Sequence, residues 1–267
     1  MAKAQVVMIG AGHLGSLILN AWIKKKIVLP KNLSLHLNSE KSHALWKKKL
    51  PKATISSHES KAMIPKGDVY VIAVKPQQWT SIKDELKKIV KKDSLVVSIM
   101  AGIPPSKLEA DLGCPCIVAM TNTSLQVGNA LTTIYKSSKC KEENLKWAQK
   151  AFGPFGMIAT LEEKDFAAAT ALGGSHPAFA IWILNEISKI ISNKLPGQDS
   201  MAWTLNIFKG AEKLIRKKKD VKNILTQIAT PGGCTAEGLK ALEDLKIAPQ
   251  LKEVFDKCQL KAEGLGK

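Results

Sequence analysis

The sequence predicts an α/β protein: a doubly wound, parallel sheet in the N-terminal part and an all-helical C-terminal part. Three observations carry this. Short apolar runs alternate with helix-length amphipathic segments over the first 160 residues. A glycine-rich turn, Gly10-Ala11-Gly12-His13-Leu14-Gly15, follows the first run directly. Strand-like patterns stop after Leu161. Repeated strand–helix units close into a parallel sheet covered on both faces.

The elements follow in order. Gln5–Ile9 is an apolar run with β-branched members, and Leu14–Lys25 has helical periodicity. Leu33–Leu37 reads as the second strand, Lys41–Lys49 as a short basic helix and Thr54–Ser56 as the third strand. Val69–Val74 and Leu95–Ile99 are near-continuously apolar, as strands buried on both faces are. Trp79–Val90 and Lys141–Phe152 read as helices; Cys116–Met120, Ala130–Tyr135 and Gly156–Thr160 read as strands. Beyond Leu161 the pattern is helical. Pro177–Ile191 is apolar almost all round, which predicts a deeply buried helix. Breakers at Leu195-Pro196-Gly197 and Pro231-Gly232-Gly233 separate it from helices at Met201–Ile215, Val221–Ile228, Ala236–Leu245 and Pro249–Ala262. The expected division is therefore 1–160 and 161–267.

Composition narrows the function. The 267 residues are 45% hydrophobic, enough to bury a core. No uninterrupted run of about 18 apolar residues marks a membrane span. The N-terminus enters a strand without a signal-peptide pattern, so a cytoplasmic protein is expected. The five cysteines, Cys114, Cys116, Cys140, Cys234 and Cys258, lack CxxC spacing, and the five histidines lack HxxxH or HExxH spacing. Free thiols and no metal site are expected. The net charge of +17 raises nucleic acid, but Arg216 is the only arginine and the lysines fall in short runs typical of solvated helix faces. Arginine is the usual reader of bases and phosphates, so no nucleic-acid or membrane partner is expected. The positive field would draw in an anionic cofactor.

The glycine turn is the first motif that carries chemistry. GxGxxG alone is a weak signal, but here it follows a strand and opens a helix. Gly10 permits the tight turn, Gly12 lets the backbone approach a pyrophosphate, and Gly15 allows close helix–strand packing. The helix start offers free amides to the phosphates. This is the pattern of a dinucleotide-binding (Rossmann) domain. After the second strand, where an acidic residue would hold a ribose 2′-hydroxyl, the chain has Asn38-Ser39 with Lys41 nearby. Those groups suit a 2′-phosphate, so NADP is preferred, with NAD the alternative. Ala73-Val74-Lys75-Pro76-Gln77 and Ser98-Ile99-Met100-Ala101-Gly102 end two further strands on the ligand-binding edge.

The second motif is Thr230-Pro231-Gly232-Gly233-Cys234-Thr235-Ala236-Glu237. Two glycines lead into a helix starting near Thr235, whose free amides suit a carboxylate. Two roles are open for Thr235: a hydroxyl that meets substrate, or an ordinary N-cap.

This stretch resembles the signature of the pyrroline-5-carboxylate reductase family. Ala73-Val74-Lys75-Pro76-Gln77 matches a family segment. Leu161-Glu162-Glu163 through Thr170-Ala171-Leu172-Gly173-Gly174-Ser175-His176-Pro177-Ala178-Phe179 is similar to the family's paired glutamates and Ser-Gly-Ser-Gly-Pro-Ala-Tyr, and Met120-Thr121-Asn122-Thr123 to its Met-Pro-Asn-Thr. The chain departs from the pattern at Val118, Thr121, Ser124, Gly173, His176 and Phe179; His176 stands where the family has glycine. The resemblance implies reduction of 1-pyrroline-5-carboxylate to L-proline by NAD(P)H. It implies that Thr235 hydrogen-bonds the ring nitrogen, that Gly232, Gly233 and Cys234 hold the carboxylate, and that Glu163 and Gln227 lie on the substrate side. His13, Leu14, Asn38, Ser39, Ser60, Ala73, Val74, Lys75 and Ala101, with the glycine turn, would hold the cofactor. It also implies a homodimer or ring of dimers built through the helical part. Two alternatives stay open: a related imine or keto-acid reductase, suggested by His176, and a non-catalytic dinucleotide-binding protein.

Overall fold

The computed structural model describes residues 4–264. An eight-stranded sheet dominates the first part of the chain. Its strands are β1 (Val6–Ile9), β2 (Leu33–Leu37), β3 (Thr54–Ser57), β4 (Val69–Ile72), β5 (Leu95–Ser98), β6 (Cys116–Met120), β7 (Ala130–Lys136) and β8 (Gly156–Thr160), in the spatial order β3-β2-β1-β4-β5-β6-β7-β8. The helices among them are α1 (His13–Lys24), α2 (Glu40–Lys49), α3 (Trp79–Ile89), α4 (Pro105–Leu112) and α5 (Glu142–Phe152). The chain starts in the middle of the sheet, runs to the β3 edge, then crosses back over β1 to the other side. This reversal opens a crevice at the carboxyl ends of β1 and β4, the usual ligand position in such sheets.

One pairing departs from the expected parallel sheet. β6 and β7 run antiparallel, with Ile117 opposite Lys136 and Met120 opposite Thr133. Only a short 3-10 turn, Thr123–Val127, lies between them. A parallel return needs a crossover of a dozen or more residues, which this connection lacks.

Alternation along the strands divides the core. Val6 and Met8 of β1 face one cluster with Trp22, Trp46, Trp147 and Phe152; Val7 and Ile9 face the other with Trp79, Leu86 and Leu108. The polar ends of two tryptophans are satisfied where they are buried. Trp22 Nε1 donates to the Ala151 carbonyl at 2.8 Å, tying α1 to α5, and Trp79 Nε1 donates to Asp111 Oδ2 at 2.8 Å, tying α3 to α4.

The chain beyond β8 continues in α6 (Phe166–Ala169), a π-helical turn (Thr170–Ser175), α7 (His176–Lys194), α8 (Ser200–Lys218), α9 (Val221–Ile228), α10 (Cys234–Asp244) and α11 (Ile247–Gly264). The compact units divide later than the sequence suggests. One unit runs to Ser175 and takes back the chain from Cys258; the other is His176–Lys257. Side-chain contacts explain the shift. Phe166 stands edge-on to Tyr135 of β7 with ring centroids 5.1 Å apart, and Asn122 Nδ2 donates to the Gly173 carbonyl at 2.8 Å. The Cys258 thiol donates to Ser175 Oγ at 3.3 Å. Phe166, Gly173, Ser175 and Cys258 therefore belong to the unit that contains the sheet, although their sequence is helical.

The deeply buried helix expected over Pro177–Ile191 is not buried within one chain. Of α7 only Ser188 is buried, while Ile181 and Trp182 are 66% and 64% exposed. α7 packs on α8, and α8 exposes Leu205, Ile207, Phe208 and Leu214. The helical unit thus offers apolar surface well beyond scattered single residues. The stretch Glu163–Lys194 is also long and apolar enough, by length and composition alone, to cross a membrane. It is interrupted by Glu186 and Lys189, which pair at 2.8 Å.

Candidate active site

The glycine turn lies at the crevice that the strand order creates. Gly10 has φ +87°, and a Cβ there would sit 2.8 Å from the Ala73 carbonyl oxygen, so only glycine fits. A Cβ on Gly15 would meet Ala73 Cβ at 3.0 Å, which is how closely α1 packs on the end of β4. At Gly12 no atom comes within 4 Å of where a Cβ would project. A cleft of about 330 Å³ opens beside these residues. It is lined by Gly10, Ala11 and Gly12, by Asn38 and Ser39, and by Ala73, Val74 and Lys75, so the structure brings three separately expected segments together. A pyrophosphate fits here: α1 starts at His13 with Gly12 as N-cap and no side chain over its first amides. Gly10→Ala should therefore do more than add a methyl group. The backbone alone costs about 1–2 kcal/mol in the left-handed region, and the Ala73 carbonyl must also move. We expect a lower melting temperature and at least roughly tenfold weaker dinucleotide binding by calorimetry.

Other expected positions lie nearby but outside the cleft lining. His13, Leu14 and Gly15 form the first turn of α1. Ser60 donates its hydroxyl to the Ser57 carbonyl at 2.8 Å, and Ala101 follows β5. The cleft also contains residues not singled out from the sequence: His36 near the end of β2, Ser42 of α2, His58 just after β3, and Gln78, Ser81 and Ile82 at the start of α3. They carry no motif. Only the order β3-β2-β1-β4 places them together. His36 Nδ1 lies 2.9 Å from Ser56 Oγ, whose own proton goes to the Leu35 carbonyl at 3.3 Å. The ring therefore donates through Nδ1. Burial pushes its pKa below the ordinary imidazole value; the Glu85 carboxylate opposes this and His58 reinforces it.

Glu163 sits in the sheet unit. Its carboxylate accepts from the Ser106 amide at 3.1 Å and from the Ser106 hydroxyl, at the first turn of α4. Both oxygens are engaged there, so the residue fastens the start of α4 to the segment after β8. An acidic group at a helix start is electrostatically favourable.

The remaining expected residues belong to the helical unit. α10 begins at Cys234, one residue earlier than Thr235, and Gly233 is its N-cap. Thr235 is thus the second residue of the helix and not its cap, which corrects one of the two roles left open by the sequence. Gly232 has φ +70°, which favours glycine, and a Cβ on Gly233 would press on Thr230 Oγ1 at 2.6 Å, so that side chain would have to move. The first intrahelical bond runs from Glu237 N to the Gly233 carbonyl. The amides of Cys234, Thr235 and Ala236 precede it at an exposed helix start, an arrangement that can receive a carboxylate. Gln227, near the end of α9, donates to Asn223 Oδ1 at 3.0 Å and accepts from Lys218 Nζ. His176 packs edge-on against Phe255, ring centroids 5.2 Å apart, and Phe179 meets the same ring edge-on at 5.3 Å. The bulk that replaces the expected glycine is exposed beside Phe255 of α11.

Among the described residues no cluster of three or more metal-ligating side chains occurs. Cys114, Cys116 and Cys140 are buried thiols, with Cys116 Sγ donating to the Cys114 carbonyl and Cys140 Sγ to the Cys116 carbonyl.

Comparison with known proteins agrees with this geometry. Residues 163–265 match the family described as pyrroline-5-carboxylate reductase dimerisation, and residues 5–102 the family described as NADP oxidoreductase, coenzyme F420-dependent. The pyrroline-5-carboxylate reductase of Methanosarcina acetivorans is 26% identical over 272 residues, covering 100% of both chains. The chain is thus similar to pyrroline-5-carboxylate reductases over its whole length. The Schizosaccharomyces pombe member is 28% identical over 81% of this chain and 78% of its own. The crystal structure of Plasmodium falciparum pyrroline carboxylate reductase with NADP bound superposes with a TM-score of 0.86 at 25% identity, covering 100% of each chain.

Proposed function

We propose that this protein reduces 1-pyrroline-5-carboxylate to L-proline with a nicotinamide dinucleotide, NADPH in preference to NADH. The observation that carries the reading is the pairing, on one chain, of a glycine-lined dinucleotide cleft with a Pro-Gly-Gly turn that opens α10. Relatives across the whole length bear the same activity in their names.

When bound, the nicotinamide supplies hydride to the C=N carbon. Gly10, Gly12, His13, Leu14 and Gly15, with Asn38, Ser39, Ser60, Ala73, Val74, Lys75 and Ala101, hold the dinucleotide in this reading. The α10 start holds the substrate: the amides following Gly232 and Gly233, from Cys234 on, take the carboxylate. The Thr235 hydroxyl donates to the ring nitrogen, where electron density grows as the imine becomes an amine. A hydrogen bond that strengthens in this way favours the transition state over the bound substrate. Gln227 and Glu163 act by position, through the bonds they make within their own units.

The region after residue 160 serves substrate binding and self-association in this proposal. Its exposed apolar helices supply a face for a second copy, and the dimerisation family matches the same region. A second copy would also account for the apolar character of Glu163–Lys194.

The deciding experiment is an assay of the purified protein with pyrroline-5-carboxylate and NADPH. Proline should form mole for mole with NADPH oxidised; no turnover with either NADPH or NADH would refute the proposal. Titration should show NADPH binding more tightly than NADH, as Asn38 and Ser39 offer neutral donors and the cleft lining contains no carboxylate. Tighter NADH would overturn that preference alone.

A further inference from the structure

We infer that His58 is a specificity-determining residue that recognises the 2′-phosphate of NADP, making the choice between the two dinucleotides dependent on pH. The inference rests on the cleft beside Gly10 being the dinucleotide site. In a sheet of this topology the adenosine ribose falls at the carboxyl end of the second strand, here Leu37-Asn38-Ser39. β3 is paired in parallel with β2, so its own carboxyl end comes to the same edge. The His58 amide donates to the Leu37 carbonyl at 2.8 Å, and the Glu59 amide donates to the Asn38 carbonyl at 3.3 Å. The backbone thus fixes His58 beside the ribose position while its side chain stays exposed on the cleft.

Of the basic side chains here, Lys41, His43 and Lys61 lie outside the cleft lining, which contains His36, His58 and Lys75. From β2 comes His36, buried and donating through Nδ1 to Ser56, its pKa lowered by burial. The rings of His36 and His58 meet edge-to-face at 6.2 Å. From α2 come Glu40, Lys41 and His43, with Glu40 and His43 lying 3.8 Å apart. On the turn after β3 are Glu59 and Lys61; the Glu59 carboxylate accepts from the Glu40 amide at 2.8 Å, which directs it at the α2 start. From α3 comes Glu85, whose carboxylate accepts from the Ile64 amide at 2.7 Å. Lys75 lies on the cleft beyond β4. Each nearby carboxylate of Glu59 and Glu85 therefore has a backbone partner. The Ser42 hydroxyl, which accepts from Ser39 Oγ, keeps its own proton for a phosphate oxygen. A phosphate at this edge would meet Asn38, Ser39, Ser42 and the His58 imidazole. Histidine gains its charge in the physiological range, and the charged ring makes a charge-assisted bond to phosphate that the neutral ring does not.

The test is calorimetric titration with NADP+ and NAD+ at pH 6.5 and pH 8.5, on the whole protein. The measured quantity is the ratio of the NAD+ to the NADP+ dissociation constant. In the unaltered protein this ratio should fall about fivefold from the lower to the higher pH, the linkage expected for roughly one pK unit of coupling to the phosphate. His58→Gln removes the histidine and leaves the phosphate's own titration, so its ratio should be low at both values. His58→Lys should keep a high ratio at both. If NADP+ and NAD+ bind and the ratio is the same in the unaltered protein and in His58→Gln, the role of His58 is overturned and the dinucleotide site stands. If neither binds, both fall together.

Discussion

Thr235→Ala is expected to lower kcat/KM for pyrroline-5-carboxylate by about ten- to a hundredfold. The figure follows from losing a hydrogen bond to a group that becomes charged, about 1.5–3 kcal/mol. The structure makes the test sharper than the sequence did. Gly233, not Thr235, is the N-cap of α10, and no side chain caps that helix. Removing the hydroxyl therefore costs no capping bond, and alanine is the better helix former. The melting temperature should hold or rise slightly while activity falls. Thr235→Ser should retain part of the activity. Thr235→Asp places an acid in the first turn, where it suits the helix dipole, so it should remain stable. Its charge would repel the substrate carboxylate, so it should be inactive. NADP+ affinity should be unchanged in all three, because the cleft belongs to the sheet unit. Full activity in both the Ala and Asp variants would remove Thr235 from the mechanism.

Local sequence carried much of the architecture because much of it is decided locally. The run Val6–Ile9 is buried on both faces and ends at a glycine that no other residue could replace, so strand, turn and helix start were all visible. The same holds for β4 and β5, which are fully buried. α4 is not among the elements read from the sequence: it is eight residues long and begins beside Pro104 and Pro105, although proline suits a helix start. The direction of β7 depended on the length of a turn rather than on any pattern within the strand. His36 and His58 are 22 positions apart in an unremarkable stretch, and only strand pairing makes them neighbours. Glu163 likewise looked like a member of an acidic pair, and its partner Ser106 lies 57 residues earlier. Non-local placement of this kind leaves no periodicity to read. The apolar helix Pro177–Ile191 shows the converse limit. Its composition predicts a helix that avoids water, but composition does not say whether the cover comes from the same chain or another.

Self-association through that helix should be abolished by Trp182→Glu. Trp182 is 64% exposed on α7, beside Ile181 and close to Met201 and Leu205 of α8 in a shallow apolar depression. A second copy that buries this face would bury each such side chain twice, once per partner, since a two-fold interface is self-complementary. Burial of one large apolar side chain contributes about 1.5–3 kcal/mol. Losing two therefore weakens dimerisation by about 3–6 kcal/mol, or roughly 10²- to 10⁴-fold in the dissociation constant. The charge introduced would add an unpaired carboxylate to the interface, which costs more still. Light scattering at micromolar concentration should give a dimer or a multiple of dimers for the unaltered protein and a monomer for Trp182→Glu. The variant should remain folded, because Trp182 covers no core within its own chain, and should still bind NADP+ by calorimetry. Trp182→Phe, which keeps an apolar ring, should associate nearly as the original does. A monomeric unaltered protein would refute the assignment of this helical face to a second copy. If Trp182→Glu kept the original mass, the contact would have to lie elsewhere, with α8, which exposes Leu205, Ile207 and Phe208, the next surface to alter.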